Sequence, residues 1–190
     1  MNAARRCFMR DGIHISVDDI CSEAGVSKGA LYGYFPSKEA VIQAIADEHV
    51  ADLSSVRDAR QREQLIAAIA ERLSDGDTAA NRLEMEAWAY AFSHEELRAR
   101  LLENTGQLQS SIASALRRIT GADEQSTVEF AGIIETFALG LVVKSALGDN
   151  QDVGKPLSAL LSILCGTTEL RHGRQKPGKG ASTTKQRNLV

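Results

Sequence analysis

The chain has 190 residues, enough for one sizeable domain or for a small domain joined to a larger one. Hydrophobic residues at 43% and charged residues at 25% make a packed core available, while a net charge of −3 excludes a generic polycation that coats nucleic acid. Three cysteines (Cys7, Cys21, Cys165) lie far apart without CxxC spacing, which argues for free thiols in a reducing compartment and against a disulfide frame or a zinc site.

Few prolines, few aromatics and much Ala, Leu, Glu, Arg and Ile favour helix throughout, and no segment alternates as a strand would. Residues 1–10 form a first helix, ended at Gly12. Ser16 N-caps a second, with Asp18 and Asp19 in its first turn and Val17, Ile20, Cys21 and Ala24 on one face. Gly25 stops it. Ser27 caps a short third helix that carries Leu31 inward, and Ser37 caps a longer fourth helix running to about Leu53. Leu65, Ile66, Ile69 and Leu73 mark the next, ended by SDGD at 74–77. NRLEMEAWAYAF is apolar around most of its circumference and is read as a central helix. Capping boxes at Ser93/Glu96 and Ser126/Glu129 are expected to open two further helices. A last one has Pro156 near its first turn. The fold class is all-α. No apolar stretch is read as long enough to span a bilayer, so a cytoplasmic protein is expected. Residues 171–190 hold six basic residues and no acid, and are expected to be a basic disordered tail.

Two short helices joined by a tight glycine turn, at about residues 17–35, make a helix-turn-helix. Its second helix would enter the major groove of DNA. Gly29 and Ala30 allow close approach to base edges, and Lys28 reaches a guanine or a phosphate. Tyr32, Tyr34 and Lys38 would donate to phosphate oxygens, with Ser16, Val17 and Ser27 beside them. VDDICSEAGVSKGALYGYFPSKEAVIQAI, preceded by ARRCFMRDG, resembles the DNA-binding domain of the TetR family of transcriptional regulators over about residues 3–46. The resemblance implies a homodimeric, effector-responsive repressor with a variable all-α C-terminal domain, acting on a palindromic operator. An activator or a corepressor-dependent regulator of the same family stays open. Many members carry a basic arm before the first helix; either arm contacts are missing here or the native chain extends further. Residues 1–46 balance five bases (Arg5, Arg6, Arg10, Lys28, Lys38) against five acids (Asp11, Asp18, Asp19, Glu23, Glu39), so the bases are expected on one face.

Residues 47–170 are read as the effector-binding and dimerisation domain. Met85, Trp88, Tyr90, Phe92, Phe130 and Phe137 are candidates to line an effector pocket, with Glu84, Glu86 and Glu135 as partners of a cationic ligand if they point inward. The stripes of the last two helices, including Ile134, Leu141, Leu157, Leu160, Leu161 and Leu164, are read as a four-helix dimer interface. No nucleophile–base pair, metal cluster or phosphate loop supports an enzyme, and no cofactor is expected. The expected partners are double-stranded DNA, a small-molecule effector and a second copy of the chain, with no membrane.

Overall fold

The computed structural model describes residues 1–50, 52–74, 78–149 and 153–173. Its elements, in order, are α1 (Asn2–Asp11), α2 (Val17–Ala24), α3 (Lys28–Tyr34), α4 (Lys38–Val50), α5 (Ser54–Asp58), α6 (Arg62–Ser74), α7 (Thr78–Ala91), α8 (Glu95–Thr120), α9 (Glu124–Ala146) and α10 (Gly154–Gly173). No strand occurs among the described residues.

Local chemistry accounts for the boundaries near the N-terminus. Ser16 accepts from the Asp19 amide while the Asp19 carboxylate accepts from the Ser16 amide, closing a capping box on α2. Gly25 ends α2 in the left-handed region (φ 66°), where a Cβ would be strained. Ser27 and Ser37 accept from the amides of Ala30 and Ala40 and so cap α3 and α4.

Further along, three expected boundaries shift. α9 opens at Asp123, not at Ser126: the Asp123 carboxylate accepts from the Ser126 amide at 2.9 Å, and Ser126 is already inside the first turn. Ser93 does not cap α8; His94 takes that position without a side-chain cap. α4 ends at Val50, and a short α5 follows that the periodicity did not reveal. Asp123→Ala is expected to cost about 1 kcal/mol, whereas Glu129→Ala stays within about 0.5 kcal/mol. Urea unfolding of the two variants checks this.

Two cores form. In the first, Phe8, Ile13, Ile20, Val41 and Ile42 pack with Leu83, Ala87, Leu97 and Leu101. In the second, Val56, Leu65, Ile69, Ile112, Leu116, Ile134, Leu157 and Leu161 pack together. α1, α2 and α4 therefore share the first core with α7 and α8. The expected boundary at 46/47 falls inside α4, and the expected tail begins inside α10; residues 174–190 lie outside the described residues.

One expectation on membranes is corrected. By length and composition α9 reaches what a bilayer span requires. Ala131, Ile134, Ala138 and Val142 are nevertheless buried within the protein, so one face of this apolar helix belongs to the core. Its other face is considered below.

Candidate nucleic-acid interface

α3 stands out from the body. None of its residues is buried, Tyr34 is 85% exposed, and Lys28, Gly29, Ala30 and Tyr32 are exposed beside it. Only Leu31 is half-buried and packs, with Phe35, against the first core. Ser16 and Ser27 are exposed at the starts of α2 and α3, and Val17 is half-buried. Lys38 is partly withdrawn: burial lowers its pKa, and its ammonium lies 5.8 Å from the centre of the Tyr90 ring.

The charges around this helix are paired. Arg5 pairs with Glu48, Arg6 and Arg10 with Glu23, and Arg10 also with Asp11. Lys28 meets Asp18 at 2.9 Å, and the hydrogen bond to that carboxylate raises the lysine's pKa. Sequence balance alone could not show this pairing, because the partners are up to 43 residues apart.

The helix bundle grips the head through polar contacts that sequence reasoning did not find. Glu86 on α7 accepts from the Ile13 amide at 2.7 Å, and Arg82 donates to the Met9 carbonyl at 2.9 Å. Gly12 has φ 83°, which strains any L side chain, and a Cβ there would also press on the Glu86 carboxylate at 3.0 Å. Tyr90 donates to Glu39 at 2.7 Å, and His94 stacks on Tyr90 with centroids 3.9 Å apart. Burial and the Glu39 carboxylate push the Tyr90 hydroxyl up to about 12. Further along α4, Arg100 donates to both oxygens of Asp47, at 2.9 and 3.2 Å, and Asn104 donates to one of them at 3.0 Å.

Burial pushes the Asp47 carboxyl up, but the bonds from Arg100 and Asn104 outweigh it and leave the group below its ordinary value. A depressed carboxyl pKa contributes stability above the unfolded value, and loses it as pH falls through the folded one. Arg100→Met is expected to lose about 1–2 kcal/mol at neutral pH. The deficit should shrink below about pH 4, where Asp47 begins to protonate in the unfolded chain. Chemical denaturation at several pH values measures it.

The candidate effector residues do not converge as expected. Met85 and Trp88 are half-buried on α7, and Phe130 and Phe137 are half-buried against the second core. Tyr90 is committed to the junction with α4. Phe92 lies past the end of α7 and is 79% exposed, so it does not face the interior of the helix bundle. Of the three glutamates, Glu86 serves the α1–α2 turn, while burial raises the pKa of Glu84 and Glu135. A hydrogen bond from Trp88 partly offsets the rise at Glu84. Glu84 therefore points inward.

Four of the six candidate dimer residues are taken up by the chain's own core, and the other two are half-buried. Ile134, Leu157, Leu161 and Leu164 are buried in the chain's own second core, and Leu141 and Leu160 pack against it. Along α9 and α10 the outward apolar residues are instead Val128, Ile133, Val143 and Ile163, the last 66% exposed, with Leu147 following α9. Stripe spacing cannot say which of two apolar faces meets its own chain.

Comparison with known proteins bears on the head most directly. Residues 1–45 match the family described as bacterial regulatory proteins, tetR family. Over 46 residues the chain is 50% identical to the HTH-type transcriptional regulator UidR of Escherichia coli (strain K12), which is 24% of each protein. Over 63 residues it is 38% identical to the HTH-type transcriptional regulator EthR of Mycobacterium tuberculosis (strain ATCC 25618 / H37Rv), which is 33% of this chain and 25% of that one. The chain thus matches about a quarter of the length of these curated relatives. Among solved structures, Salmonella enterica GusR superposes with a TM-score of 0.71 at 23% identity, over 87% of this chain and 92% of that one. A Pseudomonas aeruginosa PAO1 protein gives 0.71 at 20% identity, over 92% and 91%. Those likenesses extend the shared all-helical fold through the C-terminal helices. Residues 1–45 are thus similar in sequence to the tetR family of bacterial regulatory proteins, and the rest of the chain shares the fold of the solved structures.

Proposed function

We propose that the protein is a homodimeric, cytoplasmic DNA-binding repressor that a small-molecule effector releases from a palindromic operator. The exposure of every residue of α3 except Leu31 carries the reading. A seven-residue helix that buries no residue of its own is held out by a rigid neighbour, ready to enter a major groove. Lys28, Gly29 and Ala30 at its start would meet base edges, and Tyr32, Tyr34 and Lys38 would donate to phosphates. The exposed apolar residues Ile133, Val143 and Ile163 support a second copy as the partner of α9 and α10. The inward Glu84, bonded by Trp88, supports an effector that brings a hydrogen-bond donor or a positive charge into the bundle. Glu86, Arg82, Tyr90 and Arg100 are the links through which a shift of α7 or α8 would move the head. Half-site spacing is a geometric condition, so a small change in head separation lowers operator affinity.

Selection of duplexes from a randomised pool tests this. The enriched sequence should be an inverted repeat with half-site centres about one helical turn apart, ~34–36 Å. Enrichment of a single half-site would remove the dimer from the reading, and no enrichment at all would remove DNA.

A further inference from the structure

We infer that Asp18 is an internal competitor for the DNA-reading helix: its carboxylate occupies Lys28 in the free protein, and DNA must displace it. The inference rests on the DNA-binding reading above and adds a residue that sets affinity. Lys28 is the first residue of α3 and Asp18 the second of α2, so the pair spans the turn of the motif on its exposed side. The two groups lie 2.9 Å apart, with side chains 54% and 69% exposed, so neither is held there by burial.

The other acids of residues 1–46 have different duties. Asp19 is closed into the capping box with Ser16, and Glu23 is held by Arg6 and Arg10. Asp11 pairs with Arg10, and Glu39 accepts from Tyr90. Asp18 alone among them contacts a cation of the reading helix. A lysine that reaches a phosphate or a guanine must leave this partner, and the carboxylate then faces a polyanion. Both effects oppose binding to any duplex. The chain thereby keeps its attraction for bulk DNA low while presenting a complete reading helix, which matters when non-specific sites vastly outnumber operators.

Five proteins decide the matter: wild type, Asp18→Asn, Asp18→Glu, Lys28→Gln and the Asp18→Asn/Lys28→Gln double variant. Each is titrated by fluorescence anisotropy against the duplex enriched from the pool, between low and moderate salt. Asp18→Asn is expected to bind roughly three- to tenfold more tightly at low salt, with a salt dependence steeper by about one ion. The gain should fade as salt rises. Asp18→Glu should restore wild-type affinity. In the Lys28→Gln background, removing Asp18 should give a clearly smaller gain, because only its repulsion of phosphates remains. Unchanged thermal midpoints keep the comparison free of folding effects. Weaker binding by Asp18→Asn would mean that Asp18 positions Lys28 for DNA, and overturns the competition. An equal gain in both backgrounds overturns it as well. Failure of wild type to enrich any duplex is a different result: it removes the DNA-binding reading itself, and this inference with it.

Discussion

Leu161→Ala is expected to lower the unfolding free energy by about 2–5 kcal/mol, the range for a leucine deleted from a packed core. Leu161 is fully buried beside Leu65, Ile112, Leu116, Ile134 and Leu157, all in the same chain, so its loss leaves a cavity inside the chain. Ile163→Glu, two residues on, should behave in the opposite way. Its side chain points away from that core and is 66% exposed, so the protomer's own stability should change by only about 0.5 kcal/mol. Under the proposed pairing of two copies, a charge at this position would instead shift sedimentation towards the monomer at micromolar concentration. Urea unfolding and sedimentation velocity on both variants separate the two roles. If Leu161→Ala disturbed association while leaving the protomer stable, the assignment of inner and outer faces on α10 would be wrong.

Gly29→Leu carries the second large effect, this time on binding. A Cβ at Gly29 would have only the Ser27 hydroxyl near it, at 3.9 Å, so the protein itself has room for a side chain there. Leucine also favours helix over glycine by roughly 0.5–1 kcal/mol, so the fold should be unharmed or slightly more stable. The space it fills is the space into which the groove must come. Holding the helix away from the bases forfeits several contacts at once, and operator affinity should fall about 100-fold or more. Anisotropy measures the loss, and circular dichroism with a thermal melt confirms the intact fold. A Gly29→Leu variant that bound like wild type would place the reading surface elsewhere.

The contrast between these residues shows where the sequence was legible. Caps such as Ser16, Ser27 and Ser37 and the stop at Gly25 are local chemistry, and they mark α2, α3 and α4 from a few neighbouring residues. The same reasoning misread α9, because Ser126/Glu129 satisfies the capping-box pattern while Asp123, an ordinary N-cap residue without the box, acts first in the chain. Inner and outer faces of α9 and α10 were not legible. Both are apolar, and only packing against α6 and α8 distinguishes Ile134 from Ile133. The grip of the bundle on the head was also hidden. Glu86 with Ile13 and Arg100 with Asp47 are pairs separated by more than fifty residues, with no periodic signal to join them. Phe92 looked like a pocket aromatic by its neighbours, yet it falls just past the last turn of α7 and faces out.

In the proposed function, α3 reads DNA sequence. The most direct test of this is fluorescence anisotropy of the full chain with the pool-enriched duplex and with a scrambled duplex of the same composition, titrated over salt. Affinity for the enriched duplex should exceed that for the scrambled one by about a thousandfold or more, and both should fall steeply as salt rises. Tyr32→Phe and Lys38→Ala should weaken binding to the two duplexes alike, as phosphate contacts do. Equal affinity for the two duplexes, at every salt concentration, would contradict it.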